Sequence, residues 1–252
     1  MSFEKASAGA VTESAPVLDF SRRANLSELM DEPCSYEDLR ECLRDLERVN
    51  HVSFGYRATL RWLEQFVPKQ GHPLHIVDVG CGGGDMLRHV ECWATRNRLA
   101  VRLTGVDLNP NAIRAALEFT SAESRIRWIS GDAYSLDESA GTIDVVISSL
   151  FTHHLTDDEI VRFIEWMERV AGRGWVINDL YRSRNSYFWF KVLAAGMRWH
   201  RFVRHDGPVS FQRAFVPDEW KMYAHRAGLA EQEVSIEPVR PARLCVGRVK
   251  AR

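Results

Sequence analysis

The sequence has almost no net charge with which to attract a polyanionic partner. Its 33 lysines and arginines are balanced by 34 aspartates and glutamates, which leaves a formal net charge of −1. A general nucleic-acid-binding protein carries a basic excess or a basic stripe, so nucleic acid is not expected as a partner. With 252 residues and 45% hydrophobic content, the chain is long enough to form one large globular domain.

Cysteine is scarce and scattered. The five cysteines (Cys34, Cys42, Cys81, Cys92 and Cys245) are odd in number and form no CxxC pair. This spacing suggests neither a zinc site nor a disulfide framework, and free thiols fit a reducing compartment.

Long apolar runs are also missing, so no membrane span is expected. The first residues lack the basic region and apolar core of a secretory signal, and we expect a cytoplasmic protein. Residues 1–17 are rich in Ala, Ser and Glu without a sustained period, which predicts a disordered arm.

The rest of the chain is organised as helices followed by alternating strands and helices. "SYEDLRECLRDLERVN" and "YRATLRWLEQF" predict two helices, which assign residues 18–70 to an N-terminal helical cap. From residue 71 to 252, strands such as "IDVVIS" alternate with amphipathic helices, which is typical of a parallel α/β sheet. The last two strands are joined by only a few residues, so the sheet should end in an antiparallel pair.

A long aromatic segment follows the fifth strand. "SYFWFKVLAAGMRWHRF" predicts a helix, and the following "RHDGPVS" contains Gly and Pro, which favours a flexible segment. We therefore predict a helical lid at about residues 181–215. Its basic cluster, of Arg198, His200, Arg201, Arg204 and His205, is either a solvated face or a surface that steers an anionic acceptor.

The stretch "HIVDVGCGGGDML" raises the central question about function. A strand that leads through glycines into a helix lets a ligand touch the backbone at the carboxyl edge of a sheet. The dinucleotide fingerprint G-x-G-x-x-G, laid on Gly80 and Gly82, needs glycine at position 85. Asp85 stands there instead, and an acid at a helix N-terminus disfavours a pyrophosphate. A dinucleotide-dependent oxidoreductase is thus the weaker reading.

The same residues resemble the first motif of class I S-adenosylmethionine-dependent methyltransferases, which is an acid followed by G-x-G-x-G. The resemblance continues in "GVDL", in "GDA" and in "IDVVISSLFTHHL", and it covers roughly residues 50–250. It implies a Rossmann-like seven-stranded, mostly parallel sheet with a reversed last strand, N-terminal helices and a lid after strand five. "SSLFTHHLTDDE" and "INDLYRS" are similar to bacterial natural-product and quinone-biosynthesis-type methyltransferases.

The resemblance implies S-adenosyl-L-methionine as cofactor and a set of binding residues. The set is Asp78, Gly80, Cys81, Gly82, Gly84, Asp107, Leu108, Asp132, Ala133, Ser149 and Arg57. Asp78 is expected near the amino group of the cofactor, Asp107 at the two ribose hydroxyls and Asp132 at the adenine amino group. Leu108 is expected to pack on the adenine ring, and Arg57 to reach the carboxylate.

Methyl transfer to a phenol or enol also requires removal of a proton, a role that suits histidine. His153 and His154 follow the fourth strand; His154 is our preferred base, and Asp179 in "IND" competes for the role. Both histidines could instead only cap or pack. A metal site is not expected, because two adjacent histidines rarely point at one ion and the sequence supplies no third ligand.

The sequence thus predicts methyl transfer to a small molecule, at a phenolic or enolic oxygen of a secondary metabolite. Two alternatives stay open: a C-methyltransferase of a quinone-like pathway, and a non-catalytic partner protein that keeps the fold. The sequence does not indicate the oligomeric state.

Overall fold

The structure is a computed structural model, and it describes residues 18–66, 72–136 and 143–250. The predicted arm of residues 1–17 lies outside the described residues. The helices are α1 (Tyr36–Val52), α2 (Arg57–Leu63), α3 (Asp85–Arg96), α4 (Pro110–Phe119), α5 (Asp157–Val170), α6 (Arg184–Met197), α7 (Arg201–Arg213) and α8 (Pro217–Arg226). The strands are β1 (Leu74–Val79), β2 (Val101–Asp107), β3 (Arg127–Ser130), β4 (Ile143–Ser149), β5 (Ala171–Leu180), β6 (Ser235–Val239) and β7 (Arg243–Val249).

The seven strands form one sheet in the order β3-β2-β1-β4-β5-β7-β6. Strands β1 to β5 pair in parallel, whereas β7 runs antiparallel to both β5 and β6. The link between β6 and β7 is too short for a crossover helix, so β7 must reverse. The predicted mostly parallel sheet with a reversed last strand is confirmed.

Local signals in the sequence set the starts of several helices. Asn109 caps α4, with Pro110 at its first position. Thr156 and Glu159 form a reciprocal capping box at the start of α5. These side chains bond the backbone N–H groups that the first turn of a helix leaves without intrahelical partners.

The sheet is buried on both faces. Alternate residues of the buried strand β1 enter two hydrophobic clusters, with Ile76 facing α2 and α3 and Val77 facing α5 and α8. Such two-sided burial is why the central strands lack an alternating polar pattern.

Helix α1 joins the insertion after β5 in covering the carboxyl edge of the sheet. Its residues Leu39 and Leu43 pack on α4, and Cys42 packs with Trp199 and Phe202 next to and within α7. The helical part of the predicted N-terminal cap therefore begins at α1, and residues 18–28 before it are not helical.

The prediction that "RHDGPVS" forms a flexible segment is wrong, because these residues lie inside the continuous helix α7. Gly207 is needed there for packing, since any side chain at this position would collide with the Phe190 ring of α6. Pro208 is buried in the same helix. An interior proline costs about 3 kcal/mol, and burial of its ring offsets part of that cost.

The chain between β5 and α8 forms an insertion that contains α6 and α7. It leaves the sheet after Leu180 and returns at Phe215, where Tyr181 and Phe215 form a bridge. In the aromatic segment after the fifth strand, Tyr187 is buried, whereas Phe188 and Trp189 are exposed. Among the described residues, no helix is long and apolar enough to cross a membrane.

Candidate active site

The glycine loop follows β1, and its glycines have different roles. Gly80, Gly82 and Gly84 all have a positive φ, a conformation that favours glycine. Gly80 and Gly82 line a cavity at the carboxyl edge of the sheet. Gly84, also expected at the cofactor, does not line this cavity. A side chain at Gly84 would instead collide with Trp128, so this glycine lets α3 pack closely.

The cavity measures about 620 Å³, which suits small-molecule ligands. It lies where β1 connects to β2 on one side and pairs with β4 on the other, the usual ligand position in such sheets. The structure brings ten predicted site residues to its wall: Gly80, Cys81, Gly82, Asp107, Leu108, Asp132, Ala133, Ser149, His153 and His154.

Asp107, at the end of β2, is held by two backbone groups. Its Oδ2 accepts from the Gly82 N–H at 2.8 Å, and its Oδ1 accepts from the Asn109 N–H at 2.9 Å. Burial raises the pKa of Asp107, and these two hydrogen bonds oppose the rise. Each carboxylate oxygen can accept a second bond, so Asp107 can still receive ligand hydroxyls.

Two further predicted residues lie beside Asp107 along the cavity wall. Asp132 accepts from the Tyr134 N–H at 2.9 Å and so caps a short 3₁₀ turn. Leu108 is 70% exposed, which is unusual for an apolar side chain at a strand end and leaves its surface available to a flat ring.

Asp78 is completely buried behind the glycine loop and does not line the cavity. Burial, reinforced by the nearby charges of Asp85 and Asp107, raises its pKa well above the ordinary value. Within the described ranges, its Oδ1 has no hydrogen-bond partner. A buried acceptor of this kind needs a donor, and an ammonium group bound at the loop could supply one directly or through water.

Arg57, the residue expected to reach a ligand carboxylate, does not line the cavity. It is exposed at the first turn of α2, with its guanidinium carbon 4.8 Å from the centre of the Phe54 ring. A different arginine, Arg243 of β7, does line the cavity.

Arg243 is buried, and its Nη2 donates to Oδ1 of Asn50 at 2.6 Å. Its Nη1 has no hydrogen-bond partner in the described part of the chain. Burial lowers its pKa, opposed by the nearby charges of Asp179 and Asp85. No local motif marks Arg243 in the sequence, since it is simply the first residue of a late strand.

Asp179 lies under His153 and does not line the cavity. It accepts hydrogen bonds from the hydroxyl of Thr152, the backbone N–H of His153 and the backbone N–H of Leu180. Its Oδ1 also lies 2.7 Å from Nδ1 of His153. Burial alone would raise its pKa, but His153 and these donors hold the pKa below its usual range. Asp179 therefore orients His153, which corrects the idea that it is a competing base.

His154 has the same kind of support from another acid. Its Nδ1 lies 3.0 Å from Oδ1 of Asp31, whose pKa is lowered by that contact and by Arg213 despite partial burial. Both imidazoles thus have a carboxylate at Nδ1, which turns Nε2 away from that carboxylate.

Glu28 lies opposite both Nε2 atoms, and sequence reasoning missed it. Its Oε1 is 3.7 Å from Nε2 of His153, and its Oε2 is 3.9 Å from Nε2 of His154. The side chain is buried, accepts from the Ser210 hydroxyl at 2.8 Å and lines the same cavity. Burial raises the pKa of Glu28 to about 7. In "LSELMDEP" nothing local separates this acid from a surface residue.

Sequence comparison relates the chain to known methyltransferases. Residues 76–174 match a family described as a methyltransferase domain. The chain is 29% identical over 212 residues to a ubiquinone biosynthesis O-methyltransferase of Albidiferax ferrireducens. This alignment covers 82% of this chain and 76% of that protein. It is 32% identical over 105 residues to an ajmaline N-methyltransferase of Rauvolfia serpentina, which covers 40% of this chain. The chain spans only 34% of the length of that plant relative.

The fold is also similar to solved methyltransferase structures. The plantazolicin methyltransferase BpumL, solved with S-adenosylhomocysteine and a triazolic desmethylPZN analog, superposes with a TM-score of 0.62 at 14% identity. The match covers 86% of this chain and 97% of that one. The sheet topology, the glycine loop and the methyltransferase-domain match over residues 76–174 together support the predicted class I S-adenosylmethionine-dependent methyltransferase. That family uses S-adenosylmethionine as its methyl donor.

Proposed function

We propose that the protein transfers a methyl group from S-adenosylmethionine to an oxygen of a small phenolic or enolic molecule. The observation that carries this proposal is that one cavity has two chemically distinct walls. The glycine loop and Asp107 form one wall, and the two carboxylate-supported histidines form the other. A donor and an acceptor held against these walls would meet inside the same enclosed space.

The donor wall fits the cofactor residue by residue. Asp107 would receive the ribose hydroxyls, Asp132 the adenine amino group, and Leu108 and Ala133 the faces of the adenine ring. The backbone of Gly80, Cys81 and Gly82, together with Ser149, would lie along the methionine part. When bound, the cofactor supplies an electrophilic methyl group on its sulfonium.

Two buried orphan atoms support this fit. The amino-acid end of the cofactor is a zwitterion with one ammonium and one carboxylate. Among the described residues, the unpaired acceptor Asp78 Oδ1 and the unpaired donor Arg243 Nη1 complement these two groups. Both are close enough to Asp85 for their pKa values to be affected by its charge. Arg243, rather than Arg57, is therefore the proposed carboxylate ligand.

The acceptor wall can activate a hydroxyl group. A histidine that donates from Nδ1 to a carboxylate presents Nε2 as its basic nitrogen. The side chain of His154 is 24% exposed, against 3% for His153, so His154 remains the proposed base on the protein side. Removal of the proton would increase the nucleophilicity of a phenolic or enolic oxygen.

The remaining lining favours an aromatic acceptor. Leu43, Leu46, Phe151, Val203 and Phe211 add apolar surface from α1, α7 and the loop after β4. Positioning in a near-attack geometry and exclusion of water by these helices would account for much of the rate.

An assay of methyl transfer tests the proposal. The full chain, S-adenosylmethionine and a panel of phenols, catechols and enols are incubated together, and products are read by mass gain and by NMR of the new methyl group. We expect O-methyl products from wild type and loss of product with Asp107→Ala. A new carbon-bound methyl would instead establish the C-methyltransferase alternative.

A second result of the same assay would contradict the proposal. If the protein binds S-adenosylhomocysteine tightly but methylates no member of a broad acceptor panel, the proposal for phenolic and enolic oxygens fails. The non-catalytic partner reading would then be preferred.

A further inference from the structure

Glu28, His153 and His154 form a compact set of donor atoms. One carboxylate oxygen and one ring nitrogen from each histidine all lie within 4.8 Å of one another. The two distances from Glu28 to the imidazoles are 3.7 Å and 3.9 Å. Both exceed the 2.7–3.2 Å expected for an N–H···O hydrogen bond, so direct hydrogen bonds do not explain why these groups face one another.

The position of the proton on each imidazole also bears on this arrangement. A carboxylate accepts hydrogen bonds, so the contacts of Asp179 with His153 and of Asp31 with His154 place the imidazole proton on Nδ1. In a neutral imidazole, Nε2 then presents a lone pair on the side of the Glu28 oxygens. Lone pairs facing one another in a buried site repel, unless a proton or a metal ion lies between them.

The charged side chains around the cluster also favour a bound cation. Four acidic side chains lie in or next to the cluster: those of Glu28, Asp31, Asp179 and Asp206. Within the described part of the chain they outnumber the guanidinium groups seen close to the cluster, those of Arg23, Arg213 and Arg243. Buried surplus negative charge is costly, and a divalent cation at the Nε2 atoms would balance it.

We propose that Glu28, His153 and His154 bind a divalent transition-metal ion at the acceptor wall of the cavity. Two imidazoles and one carboxylate suit Zn²⁺, Fe²⁺, Mn²⁺ or Co²⁺, whereas Mg²⁺ and Ca²⁺ prefer ligand sets made only of oxygen. Asp179 and Asp31 complete the site, because a carboxylate at Nδ1 orients a metal-binding imidazole and raises its basicity. Three protein ligands leave coordination positions open toward the cavity.

The proposed ion deepens the proposed function, on which its catalytic meaning rests. A metal ion lowers the pKa of a hydroxyl group placed against it, so with the ion bound His154 would act as a ligand in place of a base, and the acceptor would need no imidazole base. The acceptor proton leaves to water. The acceptor oxygen then forms a bond to the donor methyl as the sulfur–methyl bond breaks, which leaves the thioether product. Acceptors with two neighbouring oxygens, such as catechols and enolised 1,2- or 1,3-dicarbonyls, would bind best.

The sequence-based expectation of no metal site depended on the missing third ligand. Glu28 is 125 positions before His153 in the chain, and only the fold brings it opposite the two imidazoles. The site therefore replaces that expectation with a specific set of ligands.

Binding measurements on the full chain test the ion without reference to activity. The purified protein is stripped with a chelator and titrated separately with Zn²⁺ and Co²⁺. Metal content, the visible spectrum of the Co²⁺ form and the thermal midpoint are measured. We expect about one equivalent of ion per chain, a Co²⁺ absorption band with imidazole ligation and a higher thermal midpoint.

Substitutions test which residues bind the proposed ion. Glu28→Gln should weaken binding by well over 10-fold, whereas Glu32→Gln, at an exposed position on the same segment, should bind as wild type. Asp31→Asn should weaken binding by roughly 10–100-fold, the usual effect of losing a carboxylate partner of a metal-bound histidine. If Glu28→Gln does not fold, His154→Ala carries the test, because that side chain is partly exposed.

The outcomes separate the ion from the methyl transfer. If the stripped protein binds no Co²⁺, or if the folded ligand variants bind Co²⁺ as wild type does, the metal site is overturned and the proposed function stands. If the ion binds as expected but no acceptor is methylated, the metal site stands and the proposed function falls.

Discussion

The carboxylate of Asp107 accepts a hydrogen bond from the backbone N–H of Gly82 at 2.8 Å. This contact ties the end of β2 to the glycine loop after β1. The proposed ribose acceptor and the proposed methionine cradle thus form one rigid unit, in which each holds the other in place before any ligand binds.

Replacement of Asp107 should therefore weaken cofactor binding. Asp107→Ala removes the proposed acceptor of both ribose hydroxyls and frees the Gly82 N–H. We expect a loss of roughly 2–4 kcal/mol of affinity for S-adenosylhomocysteine, measured by calorimetry. Asp132→Ala should cost less, because one polar contact is removed rather than two. Unchanged affinity of Asp107→Ala would contradict the proposed ribose site.

Arg243 should discriminate between whole and truncated ligands. Arg243→Met is expected to weaken S-adenosylhomocysteine binding by about 10–100-fold, the usual range for a hydrogen bond to a charged group. Binding of 5′-methylthioadenosine, which lacks the amino-acid end, should not change. Arg57→Met is the matched control and should leave both affinities at the wild-type value. Equal losses for the two ligands would show that Arg243 is structural.

Asp78 should make the ligand-free protein less stable as the pH rises. Its folded-state pKa is raised by burial, so the folded state binds the proton more tightly than the unfolded state does. The stability contributed by that proton is complete below the ordinary aspartate pKa of 3.8 and is lost as pH rises toward the folded-state pKa.

Asp78→Asn removes this titration. The variant should be more stable than wild type at pH 8, by roughly 1–3 kcal/mol, with the difference shrinking toward pH 4. Urea unfolding at both pH values measures this. The same variant should bind S-adenosylhomocysteine more weakly. A stability difference that does not depend on pH would rule out a buried, titrating carboxyl group.

The two histidines should differ in what they contribute. His153→Ala leaves Asp179 buried without its main partner, which costs about 3–5 kcal/mol for a broken buried pair. His154→Ala leaves Asp31 paired with Arg213, so its thermal midpoint should stay close to that of wild type. The methylation rate of His154→Ala should fall by roughly 10²–10⁴-fold. Full activity in His154→Ala would remove this residue from the reaction.

The insertion of residues 181–215 should respond to ligands. Helix α7 lines the cavity, whereas α6 has an outer face with exposed Trp189 and Val192. Amide exchange of α7 should slow when S-adenosylhomocysteine and an acceptor are bound, with α8, which does not line the cavity, as an internal reference. Equal and high protection in both states would make this region a fixed part of the core and not a lid.

Much of the fold follows from the sequence alone. The alternation of strands and helices, the capping residues and the short link before β7 are all local features, and local features determine which elements form and how the sheet ends. The glycine loop and Asp107 were found in the same way, because the chemistry that they serve is concentrated in short segments at strand ends.

The tertiary structure decided the rest. Arg243 replaces Arg57 at the cavity, α7 continues through Gly207 and Pro208, and Glu28 lies opposite His153 and His154. Each of these outcomes depends on packing between segments far apart in the chain. Local propensity and motif spacing carry no information about which distant side chain will fill a given space, so the acceptor wall could not be assembled from the sequence.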